Sequence, residues 1–344
     1  MNRLRPSPPT ARDLGLQVTV YILRGITHAT FLHPIIGSPR RNEKLLESIG
    51  LIKSGTAFPS KPIEIIVPFG PGSNVERLLQ TTIPYLQEEL GKDIWISFVP
   101  GDDGSKGMAE VAKNERGGYL LGFTPPRPLL INPKVTKTPY ALNAFTPVAQ
   151  VGVYYTGLVV PAGAKWLTVK DFIDDARKNP GSLTYATGGE FSLANLAMEA
   201  LNQAAGVKTK HSTFENGAAA LKGVLEGKAD MTMTDIQPHF GKDGKTRVLA
   251  IATEMRLAEW PDVPTFKELG YDVIFDVWQG IVAHKNTPAE VVAKVETAMK
   301  KIAEMPAYRE AVSSGTGATV VFLGSKDWAA KWAKEDKAFE NVLK

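Results

Sequence analysis

The sequence predicts an α/β protein of two lobes, built from mixed sheets flanked by helices. Its 344 residues exceed what one ordinary core organises and fall short of three comfortable ones. Strand and helix signals alternate from about residue 61 onward. Two glycine turns occupy corresponding places in two such series. Hydrophobic residues at 43% and charged residues at 22% suit a water-exposed globular body, and no run approaches the ~20 apolar residues of a membrane span.

KPIEIIVPF (residues 61–69) is a β-branched strand run stopped by GPGS, and residues 75–90 carry Leu78, Leu79, Ile83, Leu86 and Leu90 at helical spacing. The same grammar repeats in IWISFVP, the GDDGSKG turn, the MAEVAKN helix and the YLLGFT strand, as in a parallel sheet with crossover helices. Pro125, Pro126, Pro128 and Pro133 predict a rigid, non-helical loop. A second series opens with the helix WLTVKDFIDDARKNP, with Thr168 as its cap and Asp171 in the first turn. It continues with a strand at LTYATGG, a helix over 192–204, a helix over 218–227, and strands at ADMTMTD and RVLAIAT. VIFDVWQGIVAH then reads as one long strand, followed by helices over 288–305, 306–314 and 328–343. The runs VYYTGLVVP and DVIFDVWQG flank the second series as two extended crossings. The predicted lobes are therefore residues 60–160 plus 275–344, and residues 161–274.

The net charge of +4 is unevenly spread: residues 1–59 hold eight Lys/Arg and three acids, and the remainder nets −1. A phosphate-tracking surface needs basic residues clustered on the folded body, so nucleic acid is not expected as a partner. Residues 1–59 are expected to be a leader or a flexible extension. The apolar run at 14–23 is interrupted by Gln17, and Ser38-Pro39-Arg40-Arg41 is a weak export-type signal. The absence of cysteine excludes disulfides, thiolate catalysis and zinc–cysteine sites.

Gly70-Pro71-Gly72-Ser73-Asn74 and Gly188-Gly189-Glu190-Phe191-Ser192 each follow a strand and open a helix. Such turns offer unpaired backbone N–H groups at the positive end of a helix dipole, close to any ligand because glycine carries no Cβ. They fit an anion. They do not fit a nucleotide, since Val75 stands where a dinucleotide fingerprint needs its third glycine and no phosphate-loop motif occurs. His28, His33, His211, His239 and His284 have no metal-binding spacing, and Ser192 lacks the G-x-S-x-G elbow. No catalytic residue, metal or cofactor is expected. Asp235 closes a strand at the carboxyl end of a sheet, where ligands of open α/β sheets bind.

KPIEIIVPFGPGSNVERLLQ resembles the opening of the tripartite tricarboxylate transporter solute-binding proteins. The likeness continues through VPGDDGSKGMAEVAK, GGYLLGF, INP, FTPVAQVG, LTYATGG, FENGAAALKGVLEGKADM, RVLAIAT and WPDVPTFKELGY. The resemblance implies a periplasmic-binding-protein-like fold of the two-lobed, crossover type II. It also implies capture of a small organic acid in an interlobe cleft for delivery to integral-membrane transporter subunits, by a periplasmic receptor expected to be a monomer. By residue, it implies a carboxylate loop at Phe69, Gly70, Gly72, Ser73 and Asn74 and a second at Gly188, Gly189, Phe191 and Ser192, with Phe69 and Phe191 walling the cavity.

The chain departs from the family at Ser73 and Phe191, where glycines are usual, at Glu76, where the helix normally has Asp, and at Asn195, where His is frequent. Phe191 adds bulk that disfavours the usual small diacids and leaves room for an aromatic or differently shaped acid. Thr124 and Arg127 replace a small polar loop facing the cleft, and Arg127 is read either as a clasp for a second carboxylate or as a surface charge. A cytosolic sensor of the same fold and an enzyme acting on a carboxylic acid stand as alternatives.

Overall fold

β1 (Ile63–Val67) is buried along nearly its whole length and leads directly into α1 (Asn74–Leu90), so the first strand–turn–helix unit forms where the apolar periodicity changes from 2 to 3.6. The structure is a computed structural model, and it describes residues 58–236, 240–242 and 244–343. The extension expected over residues 1–59 thus lies outside the described residues except for its last two, as do His28, His33 and His239.

Ser73 caps α1 by accepting the Glu76 N–H at 3.2 Å, and Gly91, in the left-handed region at φ 66°, closes it. The series continues with β2 (Ile94–Phe98), a short 3₁₀ turn at Asp102–Gly104, α2 (Ser105–Lys113) and β3 (Leu120–Thr124). The proline-rich stretch after β3 is helical, contrary to its expected reading as a non-helical loop. It forms a wide π-type turn at Arg127–Ile131 followed by α3 (Asn132–Val135). Pro125 precedes the helical stretch, Pro126 and Pro128 stand at the start of the π-type turn and Pro133 at the start of α3, positions where a proline's fixed φ is already helical.

β4 (Phe145–Pro161) is a 17-residue strand, and it organises the sheet. Up to Tyr155 it pairs antiparallel with β9 (Asp276–His284) and β10 (Thr319–Gly324). From Thr156 it pairs antiparallel with β7 (Met231–Asp235), and from Gly157 also with β8 (Thr246–Ile251). The ten strands form one continuous sheet in the order β2-β1-β3-β9-β4-β7-β5-β6, with β8 and β10 both on β4. On the second side, α4 (Val169–Lys178) starts at the expected Thr168 cap, and Asp171 completes it as a reciprocal capping box. β5 (Thr184–Thr187), α5 (Leu193–Ala205), β6 (Lys210–Thr213) and α6 (Gly217–Leu225) follow. β6 and β10 escape sequence reading for different reasons. KHST is a half-exposed edge strand with no apolar alternation. β10 shifts register between Val320 and Leu323, which breaks its period of two.

Helices α7 (Ala289–Glu304), α8 (Pro306–Thr316) and α9 (Ser325–Val342) complete the chain. α9 lies against both strand series. Trp328 and Trp332 pack on Trp278 of β9 with ring centroids 5.1 and 6.1 Å away, Phe339 meets Phe275, and the Val342 carbonyl accepts from Gln203 of α5. Beside the tryptophans, Lys331 donates to Asp276 at 2.8 Å and lies 3.2 Å from Glu335, which in turn accepts the Trp278 indole N–H at 2.6 Å. Burial of Glu335 pushes its carboxyl up to about 7 against the pull of Lys331. No helix among the described residues is long and apolar enough to cross a membrane.

Candidate functional site

The two glycine turns share one local design. Ser73 and Ser192 adopt almost the same extended conformation, φ −69°, ψ 154° and φ −66°, ψ 154°. Each hydroxyl accepts the N–H three residues on, from Glu76 and Asn195 respectively, at 3.2 Å. Each of those residues answers with a side-chain oxygen: Glu76 accepts the Gly72 N–H, and Asn195 accepts the Phe191 N–H at 3.2 Å. These are reciprocal caps. They leave the N–H groups of Ser73, Asn74 and Val75 in the first turn, and of Gly188, Gly189, Leu193 and Ala194 in the second, without an acceptor among the described residues. The Gly72 N–H, expected to face a ligand, is instead spent on Glu76.

Gly72 (φ 86°) and Gly189 (φ 138°) both need positive φ, and a Cβ on either would meet nothing within 4 Å. Both border open space. Gly188 is different: a Cβ there would lie 2.8 Å from the backbone of Asn216 and Gly217, so the loop before α5 packs directly against the N-terminus of α6. Asn216 caps α6 by accepting the Ala219 N–H at 2.9 Å. Two helix starts therefore converge at Gly188.

A continuous chain of contacts links the turns. The Tyr154 hydroxyl donates to the Asn74 carbonyl at 3.4 Å. Burial holds that phenol above its ordinary range, with Arg77 and Asp235 as charges near it. Asp235 ends β7 and pairs with Thr156, while Thr234 stands where a Cβ on Gly217 would meet its hydroxyl at 3.3 Å. Asn74, Tyr154, the end of β7, Gly217 and Gly188 thus form one band along the carboxyl ends of the strands. Asp235 keeps some accessible area, but its carboxyl group is crowded and poorly hydrated, and burial pushes it up to about 6. Thr156, opposite it in the ladder, is fully buried with a hydroxyl that finds no partner among the described residues.

A second band supports the loop from beneath. His211 of β6 stacks on Tyr185 at 4.9 Å and lies 2.7 Å from the Thr187 hydroxyl, which donates to the Gly189 carbonyl. Burial pulls the imidazole below its usual range, with Glu190 and Glu199 working in the opposite direction. Tyr154, His211 and Gly217 escape sequence reading, since only the long-range pairing of β4 with β9 and β7, and of β5 with β6 and β7, brings them here. The Asn-Gly step at 216–217 is the one local signal that marks a helix start there.

Three expectations change. Thr124 is fully buried, its hydroxyl turned to the Pro125 carbonyl. Arg127 is neither a free clasp nor a bare surface charge, because it donates to Asp103 at 2.8 Å and to the Asn132 side chain at 3.4 Å. It ties down the turn at Gly101, Asp102, Asp103 and Gly104, four consecutive residues with positive φ. The Phe69 ring would stand 3.2 Å from a Cβ on Gly104, next to Pro128, so it packs on that turn. A surface hollow of about 590 Å³ opens beside Asp102, Asp103 and Asn132, but no residue of either glycine turn lines it.

The sequence profile of the tripartite tricarboxylate transporter family receptors matches residues 77–342. The chain belongs to this family. It is 28% identical over 291 residues to a Cupriavidus necator protein encoded in the gbd 5' region, covering 83% of this chain and 88% of that one. It is also similar to BugT of Bordetella pertussis, with 28% identity covering 78% and 84% of the two chains. Among solved structures, a solute-binding protein of the family from Polaromonas is similar at a TM-score of 0.77 and 26% identity, over 83% of this chain and 99% of that one. As a tricarboxylate transporter family receptor, the chain carries the fold of periplasmic solute-binding proteins, and the second turn, the end of β7 and the α6 start all lie within the matched residues. The first turn lies just before them.

Proposed function

We propose that this receptor captures a small organic carboxylate between the two halves of its sheet, in the periplasm, and delivers it to integral-membrane subunits of a tripartite transporter. The observation that carries this reading is the pair of reciprocally capped helix starts, each with unpaired N–H groups beside open space, joined through Tyr154 and the end of β7. A carboxylate leaving water must recover several charge-assisted hydrogen bonds. Neutral backbone donors supply them without burying a lysine. Two solved neighbours of the same fold from Rhodopseudomonas palustris contain malate and adipate, at 23% identity and TM-scores of 0.68 and 0.69.

In this reading the halves are the lobes 60–160 plus 275–344 and 161–274. The partner exchange in β4 at Tyr155–Thr156 and the segment entering β9 at Asp276 serve as the two crossings about which the cleft closes. The protein works as a monomer and performs no chemistry on its ligand. Mass spectrometry of material released on denaturation, followed by calorimetry against malate, adipate and aromatic acids, tests the reading. A carboxylate released unchanged and rebound one to one is the expected result. A ligand recovered chemically altered, or no carboxylate bound at all, overturns it.

A further inference from the structure

Phe191 occupies a backbone conformation that an aromatic residue seldom adopts. Its φ is 56°, and among the described residues the only other non-glycine residues with positive φ are Asp102 and Asp103, a type that tolerates the left-handed region. Phe191 is also 38% exposed, so packing does not explain why the ring is there. The equivalent position in the first turn is Gly72, at φ 86°, facing open space.

The conformation is imposed from beneath. The Phe191 N–H is held by Asn195 Oδ1 at 3.2 Å, and Asn195 Nδ2 donates at 2.9 Å to the Tyr185 hydroxyl, which itself donates to the Glu199 carboxylate. That chain fixes which end of the amide faces the loop, since Tyr185 spends its proton on Glu199 and must accept from Asn195. On the other side, Gly188 is wedged against Asn216–Gly217 and Ser192 is committed to capping α5. These contacts hold Phe191 from both sides at its positive φ.

An exposed apolar ring in an uncommon conformation, over-determined by buried polar groups and adjacent to unpaired N–H donors, has no evident role in the free protein. A ligand with its own apolar face supplies the missing partner. We propose that Phe191 is a specificity-determining residue that selects carboxylates bearing an aromatic or extended apolar portion over short hydroxylated diacids. This rests on the carboxylate-receptor reading above and deepens it. The carboxylate takes the loop's N–H groups while its apolar part lies on the Phe191 ring, by stacking or burial. The first turn, with glycine in the same place, contributes donors and no such wall.

The test is calorimetry of wild type, Phe191→Gly and Phe191→Leu with phenylacetate, adipate and malate, alongside thermal denaturation of each variant. Wild type should bind phenylacetate at least 10-fold more tightly than malate. Phe191→Gly should melt no lower than wild type, because the strained conformation suits glycine. It should lose at least 10-fold affinity for phenylacetate while changing malate affinity less than 2-fold, and Phe191→Leu should fall between. A residue that merely shaped the loop would lower all three affinities together, and that result overturns the proposal. So does tighter binding of malate than phenylacetate by wild type, or unchanged selectivity in Phe191→Gly. If wild type binds no carboxylate at all, the receptor reading fails and takes the selectivity with it. Carboxylates bound without discrimination by Phe191 sink this inference alone.

Discussion

The two glycine turns start from the same recipe and end with different electrostatics. Both place a serine at the N-cap and a side-chain oxygen at the third helical position. In the first turn that oxygen belongs to Glu76, a carboxylate that takes the Gly72 N–H, while in the second it belongs to Asn195, a neutral amide. A negative charge at a helix start complements the dipole and stabilises the helix. The same charge opposes an incoming anion. The second turn has no carboxylate at its cap, its one acid being the exposed Glu190, and it adds the converging start of α6 and the side chain of Phe191. A shared strand–glycine–helix pattern therefore does not give two electrostatically equal helix starts. The first turn commits a charged group to its helix, and the second commits a neutral one.

The largest effect that would break this comparison comes from valine at the two glycines. In Gly188→Val the new side chain meets backbone at 2.8 Å, where no flexible atom can give way. We expect a loss of ~2–4 kcal/mol in urea unfolding together with loss of ligand binding. Gly72→Val enters open space and suffers only the left-handed backbone, about 1–2 kcal/mol, but places bulk where the anion would sit, so affinity should drop more than 10-fold. Equal stability losses in the two variants would mean that the close approach at Gly188 is not what holds the second turn.

A smaller effect separates the end of β7 from both turns. Burial raises the Asp235 carboxyl from its ordinary value near 3.8 to about 6. With the folded value raised, the protonated form is the one the fold favours. The contribution is fully present below about pH 4 and is lost as pH rises through 6. At pH 7 the ionised group costs about 1–3 kcal/mol, so Asp235→Asn should raise the melting temperature at pH 7 and leave it nearly unchanged at pH 4. Thermal denaturation across that range checks the sign. A variant less stable than wild type at pH 7 would show that an unseen partner favours the charged carboxylate.

How much of this was legible beforehand follows from the range of the interactions. The two turns, the Thr168 cap, the end of β7 at Asp235 and most helices are legible from local periodicity, because caps and apolar spacing act within four residues. The proline-rich stretch resists a local reading because a proline's effect depends on whether it falls in a first turn or an interior one, and four prolines in nine residues leave that phase undetermined. Arg127 was ambiguous because its partner Asp103 lies 24 positions away. Tyr154, Thr156 and His211 carry no local signal. The register of β4 against β9 and β7 and of β5 against β6 brings them to the site, and a one-residue shift would turn each to the opposite face.

The finest expected effect bears on the charge difference itself. Glu76→Gln keeps an oxygen for the Gly72 N–H, and Gln80, which now donates to Glu76 at 2.7 Å, can turn its own amide to suit the new one. The turn should therefore hold its shape. Losing the negative charge weakens its complement to the α1 dipole by about 0.3–1 kcal/mol, which urea unfolding can resolve. It also removes a repulsion felt by any carboxylate near Ser73 and Asn74. Over a few ångströms in a partly hydrated cleft this corresponds to roughly a two- to five-fold gain in affinity. Glu76 is buried, so only the part of the repulsion that passes through hydrated cleft is screened, and the gain should shrink in part as salt rises from ~0.01 to ~0.5 M. Calorimetry at both salt concentrations with the same carboxylate reads the effect. A gain that fades with salt places the anion within reach of the first turn, whereas unchanged affinity at low salt would assign the whole electrostatic grip to the second turn and to the start of α6.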